Sequence, residues 1–102
     1  MKMNQVHFRH GDLLMVQVDS IPATARTVNH GILAEGEVTG HAHRLQHGVV
    51  FQDGDRLYFE SDGTAVVTHE EHATIAFPAG VYEVIRQREY NPFEDAARRV
   101  AD

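Results

Sequence analysis

Residues 49–60 read Val-Val-Phe-Gln-Asp-Gly-Asp-Arg-Leu-Tyr-Phe-Glu, with apolar runs on both sides of Asp53-Gly54. An Asp-Gly pair tolerates the positive φ angles of tight hairpin turns. Leu57 and Phe59 fall on one face of the returning strand, because side chains two apart along a strand point the same way. The stretch therefore predicts a β-hairpin in the middle of the chain.

Segments of the same kind recur on both sides of this hairpin. Asp12 to Val18 predicts a largely buried strand, and Val38 to Leu45 and Val81 to Arg86 alternate like strands. Turns are expected at Gln46-His47-Gly48 and at Ser61-Asp62-Gly63. Seven or eight short strands separated by turns predict an all-β fold, a small sandwich or barrel.

The pattern changes after Arg86. Asn91-Pro92 followed by Glu94-Asp95 predicts a short C-terminal helix, with Asn as the N-cap and acids in the first turn. We expect one β domain over residues 1–102: an N-terminal segment at 1–10 with little pattern, a β body at 11–86 and a tail at 87–102. The length suits one domain. A short helix needs packing to be stable, so we also expect a homo-oligomer.

Composition excludes several classes of protein. The chain has no cysteine, which excludes disulfides and thiolate metal sites. Its net charge is −6 with histidine neutral, which argues against a nucleic-acid partner. The first ten residues lack the apolar core of a signal peptide, and no run approaches the ~20 apolar residues of a membrane span. The expectation is a cytoplasmic protein with no membrane partner.

Two histidine clusters are the candidate site. His41-Ala42-His43 places two imidazoles two apart on a predicted strand, so they should share a face. His69 and His72 flank Glu70-Glu71, and this segment must bend to bring its imidazoles over that face. We predict His41, His43, His69 and His72 as ligands of a divalent transition metal, Zn, Fe, Mn or Ni.

Glu70 and Glu71 are secondary candidates, either as oxygen ligands or as partners that fix an imidazole tautomer. The competing interpretation is that the histidines are surface residues or hydrogen-bonded groups near the core. His7 and His10, in the N-terminal segment, are expected to play no part.

A partial resemblance to the cupin family rests on Gly36, His41-x-His43, His47 and Gly54, followed by Pro78-Ala79-Gly80 and Glu83. The interval after Gly36 is one residue short, His47 stands where cupins carry glutamate, and Glu83 stands where they carry the last histidine. The resemblance implies a jelly-roll barrel with one divalent metal held by His41, His43, His47 and Glu83.

A closer resemblance covers nearly the whole chain. The runs Gly-Asp-Leu-Leu at 11–14, Gly-Glu-Val-Thr-Gly-His-Ala-His at 36–43, His-Glu-Glu-His at 69–72 and Tyr-Glu-Val-Ile-Arg-Gln-Arg-Glu-Tyr at 82–90 resemble a family of small uncharacterised bacterial proteins. This resemblance implies no activity, but it favours the clusters at 41–43 and 69–72 over His47.

Two functions stay open at this point. The first is a binding module or assembly subunit whose histidines hold a metal or a small-molecule ligand. The second is a cupin-like enzyme in which a metal with an open coordination position acts on a small molecule. We favour the binding module, because the sequence shows no general base and no cofactor motif.

Overall fold

The computed structural model describes residues 7–35 and 40–86. Eight strands occupy these ranges: β1 (His7–His10), β2 (Leu13–Val18), β3 (Arg26–Val28), β4 (Ile32–Glu35), β5 (Ala42–Asp53), β6 (Arg56–Thr68), β7 (Ile75–Ala76) and β8 (Gly80–Arg86). Strand accounts for 67% of the described residues, which confirms the all-β prediction. The predicted C-terminal helix lies outside the described residues.

The central hairpin is confirmed and is longer than its sequence signal. β5 and β6 pair from Asp53 opposite Arg56 to Arg44 opposite Thr68. The turn predicted at Gln46-His47-Gly48 is wrong, because β5 runs through it with a register shift. At this shift residues 62–65 of β6 stand opposite the single residue His47, which takes a left-handed φ of 63°. The turn predicted at Ser61-Asp62-Gly63 likewise lies inside β6.

All strand pairings are antiparallel, and the sheet follows the order β1-β2-β8-β6-β5-β3, with β4 beside β5 and β7 beside β6. Within the described ranges the sheet does not close on itself. The N-terminal segment is more regular than its sequence indicated, since β1 pairs with β2 from His7 opposite Val16 to His10 opposite Leu13.

An aromatic core lies on the inner face of β2, β6 and β8. Phe59 and Tyr82 stack with ring centroids 5.0 Å apart, and Phe77 meets both edge-on. Leu13 and Met15 are fully buried beside them. Burial of such side chains contributes about 1.5–3 kcal/mol each. The two buried histidines, His10 and His43, lie where β1 ends and β5 begins.

Candidate metal centre

Three separate segments bring five imidazoles together, a group that we call the histidine cluster: His10, His41, His43, His69 and His72. His10 ends β1, the pair at 41 and 43 flanks the first residue of β5, and the last two lie in the bend that follows β6. Residues 70–72 form a bend outside any strand, as the sequence analysis required.

His69 is the hub of the histidine cluster. Its ring centroid lies 4.5 Å from that of His43, 4.6 Å from His72, 5.7 Å from His41 and 6.3 Å from His10. Its Nδ1 accepts a hydrogen bond from the Glu71 backbone N–H at 2.9 Å, which fixes the ring relative to the bend. The cluster is therefore one contiguous group rather than two separate pairs.

The innermost contact is a hydrogen bond between two buried imidazoles. His10 Nδ1 lies 2.8 Å from His43 Nδ1, and His10 Nε2 donates to the Ala73 carbonyl at 2.8 Å. Each of the two residues is 2% exposed. Burial, followed by the charges of His69 and His10, lowers the pKa of His43 to about 4. Burial also lowers the pKa of His10. Both rings are therefore neutral near pH 7, as metal ligands must be.

Glu70 fastens the bend to the start of β5. Its Oε1 accepts from the Ala42 backbone N–H at 3.0 Å, and its Oε2 accepts from Arg44 Nη1 at 2.8 Å. The Ala42 hydrogen bond, followed by the Glu70 backbone and Arg44, lowers the pKa of the Glu70 carboxyl to about 2. The carboxylate thus stays ionised and holds residues 69–72 against His41 and His43.

Two further carboxylates face the outer nitrogens of the imidazoles. Glu71 Oε2 lies 3.4 Å from His41 Nδ1, and Asp12 Oδ1 lies 3.4 Å from His43 Nε2. The second oxygen of Asp12 accepts from Arg86 Nε at 2.9 Å. Burial raises the pKa of Asp12, but Arg86 outweighs it and the net pKa is lowered. A carboxylate placed like that of Glu71 beside His41 commonly orients a ligating histidine.

One subset of these groups already converges like a metal site. His41, His69 and Glu70 each offer a ligand atom, and these atoms all lie within 4.8 Å of one another. Nitrogen and carboxylate oxygen together suit Zn²⁺ and its neighbours among the divalent transition metals. The carboxylate keeps lone pairs beyond those used by Ala42 and Arg44, since each oxygen accepts more than one contact.

The structure gathers most of the predicted site residues and leaves two outside. His41, His43, His69, His72, Glu70 and Glu71 all lie in or beside the histidine cluster. His47 is exposed at the register shift between β5 and β6, and Glu83 forms an ion pair with Arg56 at 3.2 Å. The ligand set implied by the cupin resemblance is therefore not brought together.

Two details of the sequence analysis need correction. His41 lies outside the strand predicted for it, since β5 begins at Ala42, but its ring and that of His43 both lie near the His69 ring, at 5.7 and 4.5 Å. His10, which was set aside, lies at the centre of the cluster, and Asp12 was missed as well. The sequence signal for His10 is its position directly before Gly11-Asp12, two residues that favour a turn. The structure then pairs His10 with the buried Leu13.

The comparisons with known proteins identify a family but no activity. A family model described as a domain of unknown function, DUF8820, matches residues 9–87. This match confirms that the chain resembles an uncharacterised family, and no cupin model matches. No curated protein and no solved structure matches the chain. In the described ranges, no helix is long and apolar enough to cross a membrane.

Proposed function

The chain belongs to the DUF8820 family, and we propose that it is a β-domain binding module that holds a divalent transition-metal ion on its histidine cluster. One observation carries the proposal: ligand atoms of His41, His69 and Glu70 lie within 4.8 Å of one another. The rings of His43 and His72 lie beside His69, within reach of a remaining coordination position. Zn, Fe, Mn and Ni are the candidate ions.

The spacing of the rings is compatible with imidazoles arranged around one metal ion. With metal–nitrogen bonds of about 2.0–2.1 Å, imidazole centroids around one tetrahedral ion lie on the order of 5 Å apart. The centroids in the cluster are 4.5–6.3 Å apart. Among these five rings, one contact is a direct hydrogen bond between two imidazoles, His10 with His43. The other contacts leave nitrogens free to turn toward an ion.

The position of the histidine cluster supports a binding role over catalysis. It ties together the end of β1, the start of β5 and the bend after β6, which are distant along the chain. A metal there would stabilise a domain that has no disulfide. We keep the sandwich or barrel class predicted from the sequence as part of the proposal.

The test begins with protein purified without a histidine tag. Elemental analysis should find a stoichiometric transition metal, and chelation followed by addition of Zn, Ni, Mn or Fe should raise the melting temperature. Binding to the folded state alone adds about 2.7 kcal/mol at a hundredfold excess over the dissociation constant.

His69→Ala and His41→Ala should abolish that gain. His7→Ala is the matched control, because His7 is an exposed histidine on β1. Wild-type protein that holds no metal and gains no stability from any of the four ions would refute the proposal.

A further inference from the structure

The protons of the inner histidine pair can be assigned from their partners. The Ala73 carbonyl only accepts hydrogen bonds, so His10 carries its proton on Nε2. A neutral His10 therefore has a bare Nδ1, and the 2.8 Å contact requires His43 to donate from its own Nδ1. A neutral His43 then has no proton on Nε2.

That bare nitrogen faces a carboxylate oxygen. Asp12 Oδ1 lies 3.4 Å from His43 Nε2, while Asp12 Oδ2 accepts from Arg86. The separation is longer than the 2.7–3.2 Å of ordinary N–H···O hydrogen bonds. Two acceptors that face each other repel, unless a cation lies between them. The geometry thus marks a place for positive charge beside a nearly buried imidazole.

We propose that His43 Nε2 and Asp12 Oδ1 form a second cation position, adjacent to the one defined by His41, His69 and Glu70. Two ligand atoms bound to one ion through bonds of about 2.0–2.2 Å lie roughly 3–3.5 Å apart, which matches the observed 3.4 Å. The rings of His43 and His69 are 4.5 Å apart, so the two ions would be neighbours. This inference rests on the proposed function, because it takes the same class of ion.

Gly11 leaves space for a third donor. A Cβ at this position would lie 2.7 Å from His72 Nε2 and 3.0 Å from His43 Cε1. The missing side chain therefore allows the exposed His72 ring to approach the second cation position. With φ at +62°, the backbone there also favours glycine.

The number of donors supports two ions rather than one. Both nitrogens of His10 are engaged, which leaves four imidazoles, those of His41, His43, His69 and His72, and the carboxylates of Asp12, Glu70 and Glu71. A single zinc ion takes about four ligands. Paired ions about 3.5–4 Å apart are a common arrangement in which neighbouring residues share this many donors.

The experiment titrates the full chain, first freed of metal, with Co²⁺ and with Zn²⁺. Binding is followed by calorimetry and by visible absorption of the cobalt form. Wild-type protein should bind two ions. Asp12→Asn should weaken one of them more than about tenfold, the scale on which orienting carboxylates already act, and leave the other unchanged. Asp55→Asn, in the exposed hairpin turn, is the matched control.

Arg86→Gln separates a cation position from a plain salt bridge. If Asp12 only pairs with Arg86, both variants should lose stability, Arg86→Gln also losing its hydrogen bond to the Glu35 carbonyl, and neither should alter metal stoichiometry. If Asp12 binds an ion, Arg86→Gln frees its carboxylate from a competing cation, so the second ion should bind as tightly or tighter.

Wild-type protein that binds one ion, with the same affinity in Asp12→Asn, overturns the second position and leaves the proposed function standing. Protein that binds no ion overturns both. If wild-type protein binds a single ion and Asp12→Asn abolishes that binding, the position at His43 and Asp12 is supported. The ligand set of His41, His69 and Glu70 is then wrong. Circular dichroism of each variant shows that the β fold is retained.

Discussion

Lowering the pH from 7.5 to 5 should destabilise the metal-free protein through His43. Burial, followed by the neighbouring His69 and His10, lowers the pKa of His43 to about 4 in the folded state. In the unfolded chain the pKa returns to about 6.5. Between these values the unfolded state binds a proton that the folded state does not. The free energy of unfolding therefore falls as the pH drops.

The size of the effect follows from the two pKa values. One pKa unit corresponds to about 1.4 kcal/mol, so the full difference corresponds to about 3 kcal/mol, reached below pH 4. At pH 5 the linkage relation gives about 2 kcal/mol. The stability that neutral His43 contributes is fully present above about pH 6.5 and is lost as the pH falls from about 6.5 to about 4. Asp12 and Glu70 have lowered pKa values, so their contributions are lost only at more acidic pH.

Urea unfolding at pH 7.5, 6 and 5, in the presence of a chelator, measures the loss. His43→Asn keeps a hydrogen-bonding side chain opposite His10 but cannot titrate, so its stability should change by about 2 kcal/mol less between pH 7.5 and 5. His7→Ala, which keeps the buried pair, should behave like wild type. Equal losses in wild type and His43→Asn would refute this reasoning. A gain in wild-type stability on acidification would mean that His43 is charged and paired with Asp12.

Three further outcomes are expected. His10→Ala should lower the free energy of unfolding by about 1–3 kcal/mol, because it leaves the Ala73 carbonyl and His43 Nδ1 unpaired, and denaturation of His7→Ala gives the baseline. Glu70→Gln should weaken metal binding by at least about 10–100-fold, because it removes the charge of a proposed ligand oxygen and loosens the bend over His41, while Glu60→Gln on the outside of β6 should leave the dissociation constant unchanged. Light scattering at micromolar concentration should show a homo-oligomer, as expected from the sequence, and a monomer would contradict that expectation.

Local rules predicted the fold class because each strand carries its own signal. Asp53-Gly54 between two apolar runs specifies the hairpin without reference to the rest of the chain. The same rules failed at His47 and Gly63, where turn residues mark irregularities inside long strands. A bulge and a turn use the same left-handed backbone, so only the pairing of the neighbouring strand distinguishes them.

The sequence predicted residues of the candidate site only where they lie close together along the chain. His41 with His43 and His69 with His72 stand out by spacing, and both pairs lie in the cluster. His10 and Asp12 are single residues that join the site through His43, and His10 also contacts Ala73, all far along the chain. Contacts between residues this far apart depend on tertiary packing, which no local pattern encodes.

The histidine cluster and the aromatic core share no ring contact in the described part of the chain, so the effects of variants on stability and on the proposed metal binding should be separable. The aromatic residues Phe59, Phe77 and Tyr82 pack together without any contact to an imidazole among the ring pairs that the structure describes. A variant of His69 should therefore lose metal while the core stays intact. His10 differs, because its hydrogen bonds join β1 to residue Ala73 whether or not an ion is bound. Loss of stability in metal-free His10→Ala, but not in metal-free His69→Ala, would show that the inner pair holds the fold and that the outer imidazoles serve the ion.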